Sequence, residues 1–323
     1  MHVASFHNVK FPSLPGWLRW SHHLFARIIA RGAVIFCGLL PAVGWGADAG
    51  TNRTRLPEVT VFGKPLPIAS EETLLGANQQ PEWTFHRRFP TTRVYLQKEE
   101  WEVGFEQWWR GRFLKNGKQA HLFQTEFELG LPYRFQFDLY EKYTSDQRGR
   151  MRQLGVAPEL RWALAEWGKI PLNPTIYAEW QFTDHTRGPD VWEVKLLLGE
   201  QLAPRWHWGL NLIYEQAAGG DRATEMAWSQ GVSYTVIDQK LSAGLEMRFA
   251  HETARGSRSQ PEIIYMLGPS MQWRFGSRFH VDLVPLLGVT RDAPKVEGFV
   301  VLSMDLGTVK GSSRYTPASL RGR

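Results

Sequence analysis

The stretch WHWGLNLIYEQAAGGDRATEMAWSQGVSYTVIDQKLSAGLEMRFAHE, residues 206–252, decides the fold. In its first third Trp208, Leu210, Leu212 and Tyr214 recur at every second position, with Gly209, Asn211 and Glu215 between them, and only Ile213 breaks the alternation. A repeat of two is the signature of a strand whose two faces meet different surroundings. After the polar turn Gly219, Gly220, Asp221, the pattern returns as Met226, Trp228, Val232, Tyr234 and Val236, set against Glu225, Ala227, Ser229, Gly231, Ser233 and Thr235. Residues 237–240 then turn the chain into Leu241, Ala243, Leu245, Met247 and Phe249, interleaved with Ser242, Gly244, Glu246 and Arg248. Each segment runs for about 11 to 13 residues. That exceeds the mode of about 5 to 6 for soluble strands and suits a tilted strand crossing a bilayer.

Working outward, the same unit repeats from residue 92 to residue 308 and predicts about twelve strands, an even number that lets the last pair with the first. The fold class expected is therefore all-β, a single antiparallel transmembrane barrel. The first strand is expected over about residues 94–110 and the first loop over residues 111–120. Composition agrees. No run of 18 apolar residues occurs and mean hydropathy is −0.34, yet 15 of the 323 residues are Trp. A barrel hides its hydrophobicity in alternation and places rings at the two membrane interfaces. The competing fold, a secreted β-sandwich, would have to bury Trp and Phe from nearly every strand between two sheets.

The ends of the chain read differently. Residues 1–31 carry Lys10, Arg19, Arg27 and Arg31 without an acid, and residues 32–43 form a short apolar core. Ala47 and Ala49 then give the A-x-A pattern of an export signal, so residues 1–47 are expected to be removed, with cleavage near 47 or 49. Four of the +6 formal charges and Cys37, the single cysteine, lie there. The mature chain is thus expected to lack disulfides, and its basic balance is no argument for nucleic acid. Residues 48–91 turn to Pro, Thr, Glu and Gln with little periodicity, which predicts a flexible periplasmic segment. Residues 309–323 form a basic tail.

The functional expectations come from the two strand faces. The inward face collects Glu102, Glu106, Glu126, Glu128, Asp138, Glu159, Glu179, Glu193, Glu215, Glu225, Glu246, Glu262, Asp282, Glu297 and Asp305, against mainly Arg161, Lys195 and Arg248. As the lining of a pore, such a face attracts cations. The odd-numbered loops carry Arg112 and Lys115, Arg148 and Arg150, Arg187, Arg222, Arg255 and Arg258, and Arg291 and Lys295. Arginine grips phosphate oxygens bidentately, so these loops are expected to face lipopolysaccharide. No nucleotide, zinc-protease or G-x-S-x-G fingerprint is present, and ten scattered His offer no metal-ligand spacing. No cofactor and no metal are expected. For an outer-membrane hydrolase, the pairs His280 with Ser270 and His251 with Ser233 are the candidates to set against a pore; a structural docking barrel is the other alternative.

Two resemblances follow. Residues 92–308 resemble the small porin-type barrels of Gram-negative outer membranes, and the strings FQFDLY (135–140) and APRWHWG (203–209) are similar to those of uncharacterised outer-membrane proteins. This implies insertion by the barrel-assembly machinery, although such barrels end in an aromatic residue and this chain continues to Arg323. The island LPEVTVFG (56–63) resembles the TonB box of TonB-dependent transporters, which implies docking of a periplasmic partner by strand addition.

Overall fold

The computed structural model describes residues 70–145 and 149–308, together with the backbone of Thr316–Pro317. Residues 1–69, with the export signal and the island at 56–63, and most of the basic tail lie outside the described residues. Arg148 does as well.

Twelve antiparallel strands close into a barrel. They are β1 (Glu102–Phe113), β2 (Gln119–Leu131), β3 (Phe135–Ser145), β4 (Met151–Ala163), β5 (Thr175–Thr183), β6 (Val191–Ala203), β7 (Trp206–Ala217), β8 (Thr224–Ile237), β9 (Leu241–Thr253), β10 (Glu262–Phe275), β11 (Phe279–Gly288) and β12 (Val296–Thr308). Each pairs with the next in sequence, and β12 returns to β1 with Val296 opposite Phe113 and Thr308 opposite Glu102. No edge is left, which is what a bilayer demands of a β-structure. A strand of 12 residues such as β1, tilted by about 40°, spans roughly 30 Å, the thickness of a hydrocarbon core.

The outward face is apolar and open: Phe127, Leu212, Leu245, Trp273 and Leu302 are all exposed. Its aromatic rings gather at two heights. Near the end with short turns, Phe135 stacks on Trp162 at 5.8 Å and Trp206 meets Tyr234 at 5.0 Å. Near the opposite end Trp192 meets Tyr214 at 5.2 Å and Trp228 meets Phe249 at 6.2 Å. Two girdles separated by aliphatic wall are the pattern of a membrane barrel. Ile213 breaks the alternation because it points inward, into the cavity described below.

The lumen corrects the reading of the N-terminal half. Residues 70–101 are neither a flexible segment nor part of the first strand; they are folded inside the barrel. Trp83, Phe89, Tyr95 and Leu96 have at most 1% of their surface exposed. The segment starts at the short-turn end, where the Glu71 amide donates to Asp238 (3.2 Å) and the Arg205 amide to Glu72. A helical turn, Glu82–Phe85, follows, with Trp83 stacked on His207 at 4.3 Å. The chain climbs to an apex at Thr91 and comes back to β1. Residues 94–98 look strand-like in sequence because they are buried, yet their backbone does not join the ladder. The amides of Gln97 and Lys98 donate to Gln136 Oε1 (2.7 and 3.1 Å), and Asn211 both accepts from the Arg93 amide and donates to its carbonyl. Side-chain amides on the wall thus replace strand neighbours.

The wall is shaped for this segment. Gly199, Gly209 and Gly231 lie directly opposite one another on β6, β7 and β8. A Cβ added to Gly209 would sit 2.7 Å from Val94 Cγ2 and 3.1 Å from Thr92 Cγ2; one on Gly231 would sit 2.5 Å from Phe89 Cδ1, and one on Gly199 would strike Val94. The three glycines form a trough in which Phe89, Thr92 and Val94 are seated.

Candidate functional site

The inner wall carries an in-register row of carboxylates. Glu128 faces Asp138, which faces Glu159, then Glu179, Glu193, Glu215, Glu225, Glu252 and Glu262 in turn, one on each strand from β2 to β10. Because the strands tilt, the row climbs from near the short-turn end at Glu128 to the first residue of β10 at the long-loop end. Directly opposed like charges are destabilising. Counter-charges follow the row: Lys98 lies 3.0 Å from Glu128, Lys142 2.6 Å from Glu179, Lys195 2.7 Å from Glu193 and Arg248 2.5 Å from Glu225. Arg161 is clamped between Asp138 and Glu159. Glu215, in the middle, has neither an ion pair nor a hydrogen bond among the described residues.

In one sector of the lower lumen the wall places Glu106, Glu126, Glu128, Asp138, Glu159 and Asp305 against Arg161, while Arg274 elsewhere on the wall pairs with Glu71 and Glu82 of the inner segment. That sum is −5. The inner segment contributes Arg87, Arg93 and Lys98, which bring it to −2. Arg87 lies 2.5 Å from Glu106 and 3.4 Å from Glu126; Arg93 lies 2.8 Å from Glu126; Lys98 bridges Glu128 and, at 2.6 Å, Asp305. Carboxylate oxygens of Glu106, Glu126 and Glu128 come within 4.8 Å of one another, close enough to share a cation. Here Arg87 and Lys98 serve as the cations, so the trio is an ion-pair hub.

The remaining inward residues have distinct roles. Glu246 accepts from the Thr91 amide (2.8 Å) and from its hydroxyl, fixing the apex. Glu102 accepts from the Glu99 amide at 3.0 Å, and Asp282 from Gln272 at 2.8 Å. Glu297 is held by Arg110 and Arg112. Arg112 is therefore not a loop residue: β1 extends to Phe113, and the side chain points inward and is buried. Arg150, Arg187, Arg222, Arg255, Arg258 and Arg291 do lie in the connections at the long-loop end, as does Lys115, whose ammonium donates to the Thr290 carbonyl at 2.6 Å. The two Ser and His pairs come apart. His251 faces Met226 while Ser233 faces Gly244, and His280 faces Arg274 rather than Ser270.

Sequence reasoning missed Glu252, Arg110, Lys142 and Arg274 on the wall. The parity of their own strands would have found them, since each shares a face with a recognised neighbour: Glu246, Glu106, Asp138 and Glu262. Missing too were Arg87, Arg93 and Lys98. Their signal was the unmatched excess of acid on the inner face.

Above the apex the lumen opens into a cup of about 290 Å³. Its floor is Arg87, Pro90, Thr91 and Arg93, and its wall includes Glu179, Glu193, Glu215, Glu225, Arg110 and Arg248. A closed wall with a lipid-type outer face, filled in its lower half by the chain's own N-terminal segment, defines a plugged β-barrel.

No protein-family model matches the chain. Over 48 residues it is 42% identical to the uncharacterized protein YubC of Escherichia coli K12, a match covering 15% of this chain and 48% of YubC. The chain thus spans about half the length of that curated relative. Among solved structures it is similar to the NanC porin, at 10% identity and a TM-score of 0.45, covering 63% of this chain and 98% of the porin. An outer-membrane channel from Pseudomonas putida F1 gives 10% identity and a TM-score of 0.45 over 65% of this chain and 97% of that one. Omp33 of Acinetobacter baumannii gives 12% and 0.37 over 64% and 100%.

Proposed function

We propose that the protein is a channel of the bacterial outer membrane, closed at rest by residues 70–101 and admitting small solutes when that segment shifts. The observation that carries this reading is the cup. It is a charged cavity walled by β-strands and ending blindly on Thr91 and Arg93, the arrangement of an entrance above a movable stopper. The segment is seated by polar contacts to the wall and by Phe89, Thr92 and Val94 in the glycine trough. Such a seat can be left without tearing the strand ladder. Once the segment withdraws, the sector of the lower lumen summed above changes from a net −2 to −5. The open state is then narrow and prefers cations. The long-loop end faces outward, where its arginines meet lipopolysaccharide phosphates, and residues 56–63, which precede the segment in sequence, give a periplasmic partner a handle by strand addition.

The test is single-channel recording of the refolded full chain in a planar bilayer under a salt gradient. Long closures, brief openings and a reversal potential on the cation side are expected, with openings more frequent when the seat is weakened. A wide, permanently open or anion-selective pore would sink the reading, as would a barrel that inserts and stays silent even with the segment unseated.

A further inference from the structure

Six carboxylates line the cup on six adjacent strands, β5 to β10: Glu179, Glu193, Glu215, Glu225, Glu252 and Glu262. Lys195 and Arg248 lie among them on the same strands, and Lys142 on β3 pairs with Glu179, so this arc sums to −3. The rest of the cup has the opposite sign. Arg110 and Arg112 on β1 face it from across the ring, while Arg87 and Arg93 in the floor are paired with Glu106 and Glu126 below. Glu297, the acid behind Arg110 and Arg112, is buried at 1% exposure and takes up part of this charge. In a ring of twelve strands β7 and β1 are diametrically opposed, which sets unpaired Glu215 opposite Arg110.

From this we infer that the cup binds dipolar solutes, molecules with an ammonium at one end and a carboxylate or similar anion at the other. The inference deepens the channel reading and rests on it for the cup's role as an entrance. A simple cation finds one half of the cup and is repelled by the other; an anion meets the reverse. Only a solute carrying both charges is favoured by both walls, in a space with little water to screen them. The row of opposed carboxylates is otherwise unfavourable for the sheet. Glu215 has neither an ion pair nor a hydrogen bond among the described residues, which leaves its carboxylate for the solute's ammonium. Arg110, with a quarter of its side chain exposed, is the matching donor for the anionic end.

The probes are the ω-amino acids from glycine to 8-aminooctanoate, with hexanoate and hexylammonium as singly charged controls. Calorimetry on the full chain in detergent reads their affinity. 6-Aminohexanoate, or a neighbour in the series, is expected to bind at least about tenfold more tightly than either control. Glu215→Gln and Arg110→Gln are each expected to weaken it by about tenfold while leaving one control unaffected. Both variants should fold, since Glu215 has no partner to orphan and Glu297 keeps Arg112 at 3.2 Å. Heat-dependent migration of the folded barrel checks this. Equal binding of hexylammonium, insensitive to Arg110→Gln, would make the cup a plain cation site and overturn the inference; equal binding of hexanoate, or of no probe, would overturn it as well. Conductance recorded on the same samples separates the two readings. Openings without dipolar binding would remove this inference alone, and binding in a barrel that never conducts would remove the channel reading alone.

Discussion

Replacing Gly209 with Val separates the seat of the inner segment from the folding of the barrel. Gly209 lies in the middle of β7, away from any turn, in a backbone that a β-branched residue prefers. The wall itself should therefore accept the change. The inner segment should not. A Cβ there stands 2.7 Å from Val94 and 3.1 Å from Thr92, with Phe89 at 3.3 Å, and all three neighbours are buried with no room to retreat. Overpacking of this kind costs about 1 to 3 kcal/mol. Placed wholly on the seated state, it shifts the balance toward the withdrawn segment by roughly 5- to 150-fold. The assay pairs single-channel open probability with heat-dependent migration. Open probability should rise within that range while the folded barrel persists. A variant that folds, keeps Phe89 and Val94 protected from hydrogen exchange and opens no more often than the parent would refute the trough as the seat.

Arg93→Met removes the cation 2.8 Å from Glu126 and breaks a buried pair, a loss of about 3 to 5 kcal/mol; openings should become frequent and more strongly cation-selective, and an anion-selective shift would contradict the charge count. Thr91→Val deletes the hydroxyl donor to Glu246 but keeps the amide bond to it; a smaller loss of about 1 to 3 kcal/mol should appear as briefer closures in the same recordings. Burial alone would raise the pKa of Glu71, but Arg88 at 2.7 Å and the Thr235 hydroxyl outweigh it and hold the carboxyl below its ordinary 4.5. A group with a lowered folded value contributes stability that is complete above the unfolded value and lost as pH falls through the folded one. Hydrogen exchange of residues 70–75 should accordingly accelerate below about pH 4.5 in the parent, and the acceleration should be blunted in Glu71→Gln.

The barrel was legible because lipid and lumen impose opposite demands on alternate residues, so each strand states its two faces in its own sequence. Even the exception at Ile213 had a cause, an inward apolar patch of the cup that it shares with Trp108 and Phe299. The strand count, the closure and the facing of Glu102 through Asp305 all follow from a period of two. The inner segment was illegible for the complementary reason. Residues 70–101 contact a wall that surrounds them, so no single period describes them, and their backbone is satisfied by Gln136 and Asn211 rather than by a neighbour of similar pattern. What sequence did carry was a sum. An inner face with so many acids and so few bases needs cations from elsewhere, and Arg87, Arg88, Arg93 and Lys98 stand just ahead of the first strand. Arg112 was misplaced by boundary alone, since two more residues of β1 turn a loop arginine into an inward one.

The junction where β12 meets β1 has a bearing on assembly. Val296 and Phe113 face each other there although they stand 183 positions apart in the chain, so closing this pair carries a larger loop entropy than any hairpin of the barrel. Lys98 straddles it. Its ammonium reaches Glu128 on one side of the junction and Asp305 on the other, passing over Gly104, where any side chain would collide with it. The segment directly precedes the first strand in sequence, and its partners Glu106, Glu126 and Glu128 lie on the first two strands. It can act as a mandrel on which the sheet curls, with Lys98 as the clasp that rewards closing the circle, so that the piece of chain that blocks the finished lumen also helps to define its girth.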